Sequence, residues 1–183
     1  MRRTSRAILP ILAVATAVGC SRGETPKAEA SAATMRPRSL LELEQQRRAA
    51  LEESPLKAAQ DRYEFGAVPI NGGDVEHVFQ VANEGSEPVS LVSVYTSCGC
   101  TTAVLEFADG SKEGPFGMPG HNLPIRLERP RRLGPGEIVK VRAIFEPAAH
   151  GPSGLGSVMR TVNLHTSDGG GIQVTFSANV VRG

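Results

Sequence analysis

Tryptophan is absent from this 183-residue chain, and the other aromatics are few: six Phe and two Tyr, all at or after Tyr63. A packed core is therefore expected downstream of residue 62 and not before it. Three cysteines are too few for a scaffold built on disulfides. Neither sign of charge dominates, with 20 Lys and Arg against 19 Asp and Glu and a net of +1. That excludes a nucleic-acid binder of the strongly basic kind, and no nucleic-acid partner is expected. No internal repeat recurs at a fixed period. What is plentiful is glycine (20) and proline (13), a composition that suits many turns better than long helices.

The first residues read as an address. Arg2, Arg3 and Arg6 precede an apolar run at 7–18 that only Pro10 and Thr16 interrupt. Twelve residues make about 18 Å of helix, too short for a hydrocarbon core of ~30 Å. A basic start, a short apolar run and small residues after it constitute a secretory signal. The run ends in Ala17-Val18-Gly19-Cys20, which resembles a bacterial lipoprotein signal. That resemblance implies a lipid on Cys20 and a new N-terminus there. A signal peptide at 1–19 would place the chain in the cell envelope, anchored to the membrane through its N-terminal lipid on the periplasmic or outer surface. Ser21, where an Asp is absent, resembles outer-membrane sorting in a Gram-negative cell. Several acyl chains hold firmly, because each buried CH₂ contributes ~0.8 kcal/mol. Outside the cytosol, thiols tend to oxidise.

Residues 20–36 are small and polar and read as a disordered tether. A helical spacer is expected over 37–62. Ser39 with Glu42 matches a capping box, Leu40, Leu43, Arg47, Ala50 and Leu51 follow helical spacing, and Ser54-Pro55 reads as a restart with Pro in a first turn.

From Tyr63 the period changes to two. Short strands are expected at 65–68, 77–82, 89–95, 123–127, 139–145, 162–164 and 172–180. The clearest alternation sets Ile172, Val174, Phe176, Ala178 and Val180 against Gln173, Thr175, Ser177 and Asn179. Turn clusters at 71–73, 83–85, 134–136 and 167–171 separate the runs. Strands with one apolar face must pair two sheets to bury it, so residues 63–183 predict an all-β sandwich of about seven strands. The stretch 107–132, rich in Gly and Pro, reads as a long irregular loop around the one strand at 123–127.

Ser97-Cys98-Gly99-Cys100-Thr101 is the densest signature. It sits in an ordered set: Phe65-Gly66-x-Val68, His77-x-Phe79-x-Val81-x-Asn83-x-Gly85, Pro88, then Thr102, Gly134-Pro135-Gly136-Glu137, Val141, Phe145-x-Pro147 and Gly151. The set resembles the bacterial DUF1573 domains, whose function is unassigned in general. The resemblance implies an immunoglobulin-like domain over most of 63–183. The chain departs from the pattern between Cys100 and Pro135, where 34 residues intervene and the family connection is usually shorter.

Three roles stay open for the two cysteines. In a straight strand their Cα atoms would lie roughly 6.6 Å apart, near the upper limit for a disulfide. Gly99 lets the chain bend and close the gap. A closed Cys-Gly-Cys ring would be readily reduced, as redox-active bridges are. Opened, two thiolates would clamp a soft ion such as Cu(I), with Met118 and His121 in the long loop as further ligands. The third role is structural, as small apolar fillers or a fixed local bridge. Zinc is disfavoured because a second ligand pair is missing. His77, His121, His150 and His165 are scattered, and the Gly-rich strings lack the Lys and the helix of a phosphate loop. Arg126, Arg129, Arg131 and Arg132 form a small basic patch on a solvated loop.

No catalytic set emerges, and no cofactor is expected unless the pair takes copper. The expectation is an exported, lipid-anchored, non-catalytic binding or structural module of the bacterial envelope. It would meet an envelope protein or an extracellular polymer through its loops or an open strand edge. The alternative is a thiol-redox or copper-handling protein that works through Cys98 and Cys100.

Overall fold

A computed structural model describes residues 39–183. The expected signal peptide at 1–19, the lipidation site Cys20 and the tether at 20–36 lie outside the described residues. Among the described residues no helix is long and apolar enough to cross a membrane.

The chain starts with helix α1, Leu40–Glu52. Its capping box is formed as expected: the Glu42 amide donates to the Ser39 hydroxyl at 3.2 Å, and the Ser39 amide donates to the Glu42 carboxylate at 2.8 Å. The spacer expected over 37–62 ends early, however. Ser54-Pro55 does not restart the helix. Instead the Leu56 amide donates to the Ser54 hydroxyl, and Leu56–Ala58 forms strand β1, antiparallel to residues 81–83. Burial decides against the helix there, because Leu56 is 1% exposed and packed in the core. The sandwich thus begins at Leu56 rather than at Tyr63.

Nine further strands follow: β2 (Arg62–Pro69), β3 (Val75–Asn83), β4 (Val89–Thr96), β5 (Thr101–Glu106), β6 (Lys112–Phe116), β7 (Arg126–Leu133), β8 (Ile138–Phe145), β9 (Gly156–Thr166) and β10 (Gly171–Val181). A 3₁₀ segment, Pro147–Gly154, links β8 to β9. The strands form two five-stranded sheets, in the orders β1-β3-β8-β5-β6 and β2-β10-β9-β4-β7. Among the described residues only the β2–β10 pair is parallel. The core lies between the sheets. Phe79, Val81, Val139, Val141 and Leu105 come from the first, and Leu91, Val94, Val162, Leu164 and Phe176 from the second, each at 1% exposure or less.

Ten strands replace the seven expected, and the three additions are β1, β5 and β6. The stretch 107–132 is not one long loop. β5 turns at Asp109-Gly110, where Gly110 has φ +80, and returns as β6 with Glu106 opposite Lys112. β7 then runs along β4 with Leu133 opposite Val89. Both are edge strands, and edge strands with one wet face carry charge and proline. Only Phe116 of β6, and Leu127 and Leu133 of β7, are buried, so alternation is hidden.

The junction after β3 is held by Asn83, which is fully buried. Its side-chain amide donates to the Glu87 carbonyl at 2.8 Å and to the Leu133 carbonyl at 3.0 Å, and its oxygen accepts from the Gly85 amide. Its backbone carbonyl accepts from Gly136 at 2.7 Å. Gly136 has φ +74, a conformation that suits glycine after Pro135.

Candidate functional site

β4 belongs to one sheet and β5 to the other, so Ser97-Cys98-Gly99-Cys100 is a corner where the chain crosses between them. The corner is tightly tied. The Thr101 amide donates to the Cys98 carbonyl at 3.1 Å and closes a four-residue turn. The Thr96 hydroxyl shares its proton between the carbonyls of Cys98 (3.0 Å) and Thr101 (2.9 Å). Ser97 is bonded to β9 twice, through its amide to the Thr161 carbonyl and through its hydroxyl, which accepts from the Thr161 amide at 2.9 Å. The Cys100 carbonyl accepts from the Glu146 amide at 2.9 Å.

The turn draws the two Cα atoms to 5.3 Å, and Cys98 and Cys100 are joined as a disulfide. The two sulfurs face different surroundings. Cys98 is half-buried, and its Sγ lies 3.2 Å from Nε2 of the exposed His150, in the 3₁₀ segment. Cys100 is 2% exposed, and its Sγ accepts from Nε of Arg160 on β9 at 3.1 Å, with the Thr101 hydroxyl at 3.7 Å. The Cys100 amide also points at the Cys98 sulfur, at 3.3 Å.

His150 and Arg160 are the residues that sequence reasoning missed. Antiparallel pairing brings them in. Thr101 stands opposite Phe145, so the residues before Thr101 meet those after Phe145. Among the described residues, Cys98, Cys100 and His150 form a cluster whose ligand atoms lie within 4.8 Å of one another. His121, expected as a ligand, lies outside that cluster. Its ring covers Gly99, where a Cβ would come within 3.2 Å of it. Met118 is half-buried in the same loop, and its carbonyl accepts from the His121 amide at 3.2 Å.

The remaining residues quoted from the sequence pattern have structural places. Phe65 packs edge-on against Tyr63 and Phe176, with centroids 4.9 and 5.4 Å away, and Gly66 follows it at φ +70. His77 stacks on Tyr63 at 3.6 Å, and burial pushes its pKa down. His165 stacks on Tyr95 and lies 3.1 Å from its hydroxyl. Beside His150 in the chain, Ala148, Gly151 and Pro152 join Ile70, Leu155 and Arg182 around an open cleft of about 470 Å³.

Two five-stranded sheets packed face to face, crossed at a two-cysteine corner, define a β-sandwich. A family model described as "Protein of unknown function (DUF1573)" matches residues 56–113. The match starts at β1, where the sheet itself starts. No curated protein matches the sequence. A protein of unknown function from Porphyromonas gingivalis W83 is similar in structure, with 16% identity, a TM-score of 0.48 and coverage of 68% of this chain. This chain spans 46% of that protein's length. The VesB protease of Vibrio cholerae is similar over 74% of this chain and 35% of its own, at 12% identity and a TM-score of 0.46. A PapD-like domain of human CEP192 is similar over 71% of this chain and 87% of its own, at 14% identity and a TM-score of 0.39.

Proposed function

We propose that this chain is exported and lipid-anchored through Cys20, and that its Cys98–Cys100 disulfide exchanges with dithiols of other proteins in the envelope. The observation that carries the proposal is the asymmetry of the two sulfurs. Cys98 is reachable and lies against an imidazole, whereas Cys100 is buried and lies against a guanidinium. A thiolate of the client attacks the reachable Cys98 sulfur. The Cys98–Cys100 bond breaks, a mixed disulfide forms, and Cys100 leaves as a thiolate that Arg160 stabilises. A cation beside a thiol lowers its pKa from about 8.5 toward the range 3.5–7.5, and a more acidic thiol leaves faster. The client's second thiolate then attacks its own sulfur in the mixed disulfide and releases Cys98, which His150 can protonate. Two electrons pass from the client dithiol to the pair, and the client leaves oxidised.

Binding at an open strand edge has less support. The four edge strands are β1, β6, β2 and β7. β1 has three residues, and the others contain Pro115, Pro69 and Pro130. Short strands and proline are devices that block strand addition.

The test uses the full chain with Cys20→Ser, so that every free thiol comes from the pair. A reduced dithiol peptide should open Cys98–Cys100, with two thiols appearing in the chain as the peptide closes its own disulfide. Arg160→Gln should slow the exchange about tenfold, through the poorer leaving thiolate. A pair that stays closed in excess peptide refutes the proposal, as does an Arg160→Gln chain that exchanges at the original rate. Export is tested separately: wild-type chain should fractionate with membranes and take up labelled fatty acid, and Cys20→Ser should do neither.

A further inference from the structure

We infer that the opened pair, together with His150, forms a three-coordinate site for Cu(I). The inference rests on the reading above in one respect, that the pair can be reduced. Three donor atoms already converge: two sulfurs and the Nε2 of His150, all within 4.8 Å of one another. Three ligands about 2.3 Å from one ion, the usual metal–thiolate length, stand roughly 4 Å apart. Opening the disulfide lets the sulfurs separate toward that spacing with the turn backbone kept in place.

The donor set selects the ion. Two thiolates and one imidazole are soft, and soft donors favour Cu(I) among the biological metals. A structural zinc site takes four ligands, and the His, Cys, Asp and Glu cluster among the described residues supplies three. Charge points the same way. Two thiolates, a neutral imidazole and Cu(I) sum to −1, and the Arg160 guanidinium 3.1 Å from the sulfur of the buried Cys100 offsets that charge. The Cys100 amide supplies a further donor toward the Cys98 sulfur. Groups of this kind around the ligands tune metal affinity. His150 is exposed, so the ion has a way in.

Loading is chemically balanced: each thiol gives up its proton as it binds, and no electron moves. The disulfide form has no thiolate to offer. Copper uptake is therefore gated by the redox state of the pair, and a dithiol that opens the bond also creates the site.

The experiment titrates the Cys20→Ser chain, reduced and oxidised, with Cu(I) held by a chromophoric chelator under anaerobic conditions. One Cu(I) per reduced chain is expected, with binding at least 100-fold weaker in the oxidised chain. His150→Ala should lower the affinity at least tenfold, while His121→Ala and Met118→Leu should leave it unchanged. Circular dichroism confirms that each variant is folded. A chain with two free thiols that takes up no copper overturns the inference, as does a His150→Ala chain with unchanged affinity or tighter binding of Zn(II) than of Cu(I). The two readings fail separately. A pair that opens with dithiol peptide and then ignores copper sinks the metal site and leaves exchange standing. A pair that opens only with a strong phosphine and then binds copper does the reverse.

Discussion

Asp109 shows how one exposed side chain can tie the two sheets together. Its carboxylate accepts from the Ser111 hydroxyl, from the Ser111 amide at 2.9 Å, and from Nη2 of Arg131 at 2.9 Å. These donors, Ser111 first and Arg131 after it, hold its pKa at about 2, below the ordinary 3.8. Arg131 also lies 4.0 Å from the centroid of the Phe107 ring and 3.8 Å from the Glu113 carboxylate. The hairpin of the first sheet is thereby linked to β7 of the second. A carboxyl that is more acidic folded than unfolded adds stability above its unfolded pKa and loses it as pH falls through the folded value. That window runs from about 3.8 down to about 2. Asp109→Asn should therefore melt slightly below wild type at pH 6, and the gap should close between pH 4 and pH 2. Thermal melts across that range check it, and a gap that does not change with pH refutes the assignment. Arg131 also shows a limit on reading residues from sequence. Within a run of arginines it looked like one member of a solvated patch. Its partners lie 18 to 24 positions upstream, and only the β5–β6 hairpin brings them under the guanidinium.

Among elements, β10, the second strand of the β9–β10 hairpin, was the most legible, because it is central and turns Val174, Phe176, Ala178 and Val180 to the core, whereas β9 was legible only over 162–164 of Gly156–Thr166. β8 was as clear for the same reason. β1, β5 and β6 were not, and each for its own cause. β1 is three residues behind a strong helix-start signal, and β6 is an edge strand containing Gly114 and Pro115. β5 follows directly on the cysteine corner, so its first residues read as part of the motif. The hairpin also offers a sharp test of backbone fit. A Cβ on Gly171 would collide with the carbonyl oxygen of Leu164 on the neighbouring strand. Gly169, in the turn at φ +89, has open space around its absent Cβ. Gly169→Ala should cost about 1–2 kcal/mol, the strain of a left-handed backbone. Gly171→Ala should cost more, above about 3 kcal/mol, because backbone must move to relieve the clash. Urea denaturation orders the two, and equal losses would contradict the close approach.

At the scale of the whole molecule, topology completes what sequence proximity starts. Cys98 and Cys100 are two positions apart and stand out in the sequence, but the groups beside their sulfurs come from the far side of the fold. β5 pairs with β8 and carries His150 to one sulfur, and Ser97 bonded to Thr161 sets Arg160 of β9 beside the other. No spacing rule signals such an arrangement, because the register of strands 44 to 64 residues apart is fixed by core packing and not by local pattern. The same packing moves the boundary of the sandwich upstream. Leu56 is 1% exposed and stands opposite Asn83, the residue that locks β3 to the end of β7. If β1 is part of the core, Leu56→Ala in the full chain should lose about 2–5 kcal/mol, the usual range for emptying a buried leucine site. Gln60→Ala, on the exposed link to β2, should stay within about 0.5 kcal/mol. Equal and negligible losses at both positions would return the start of the domain to Tyr63. A large loss at Leu56 alone makes β1 part of the framework that holds the cysteine corner, since β3, its one partner, is also the neighbour of β8, and β8 in turn carries both β5 and the segment bearing His150.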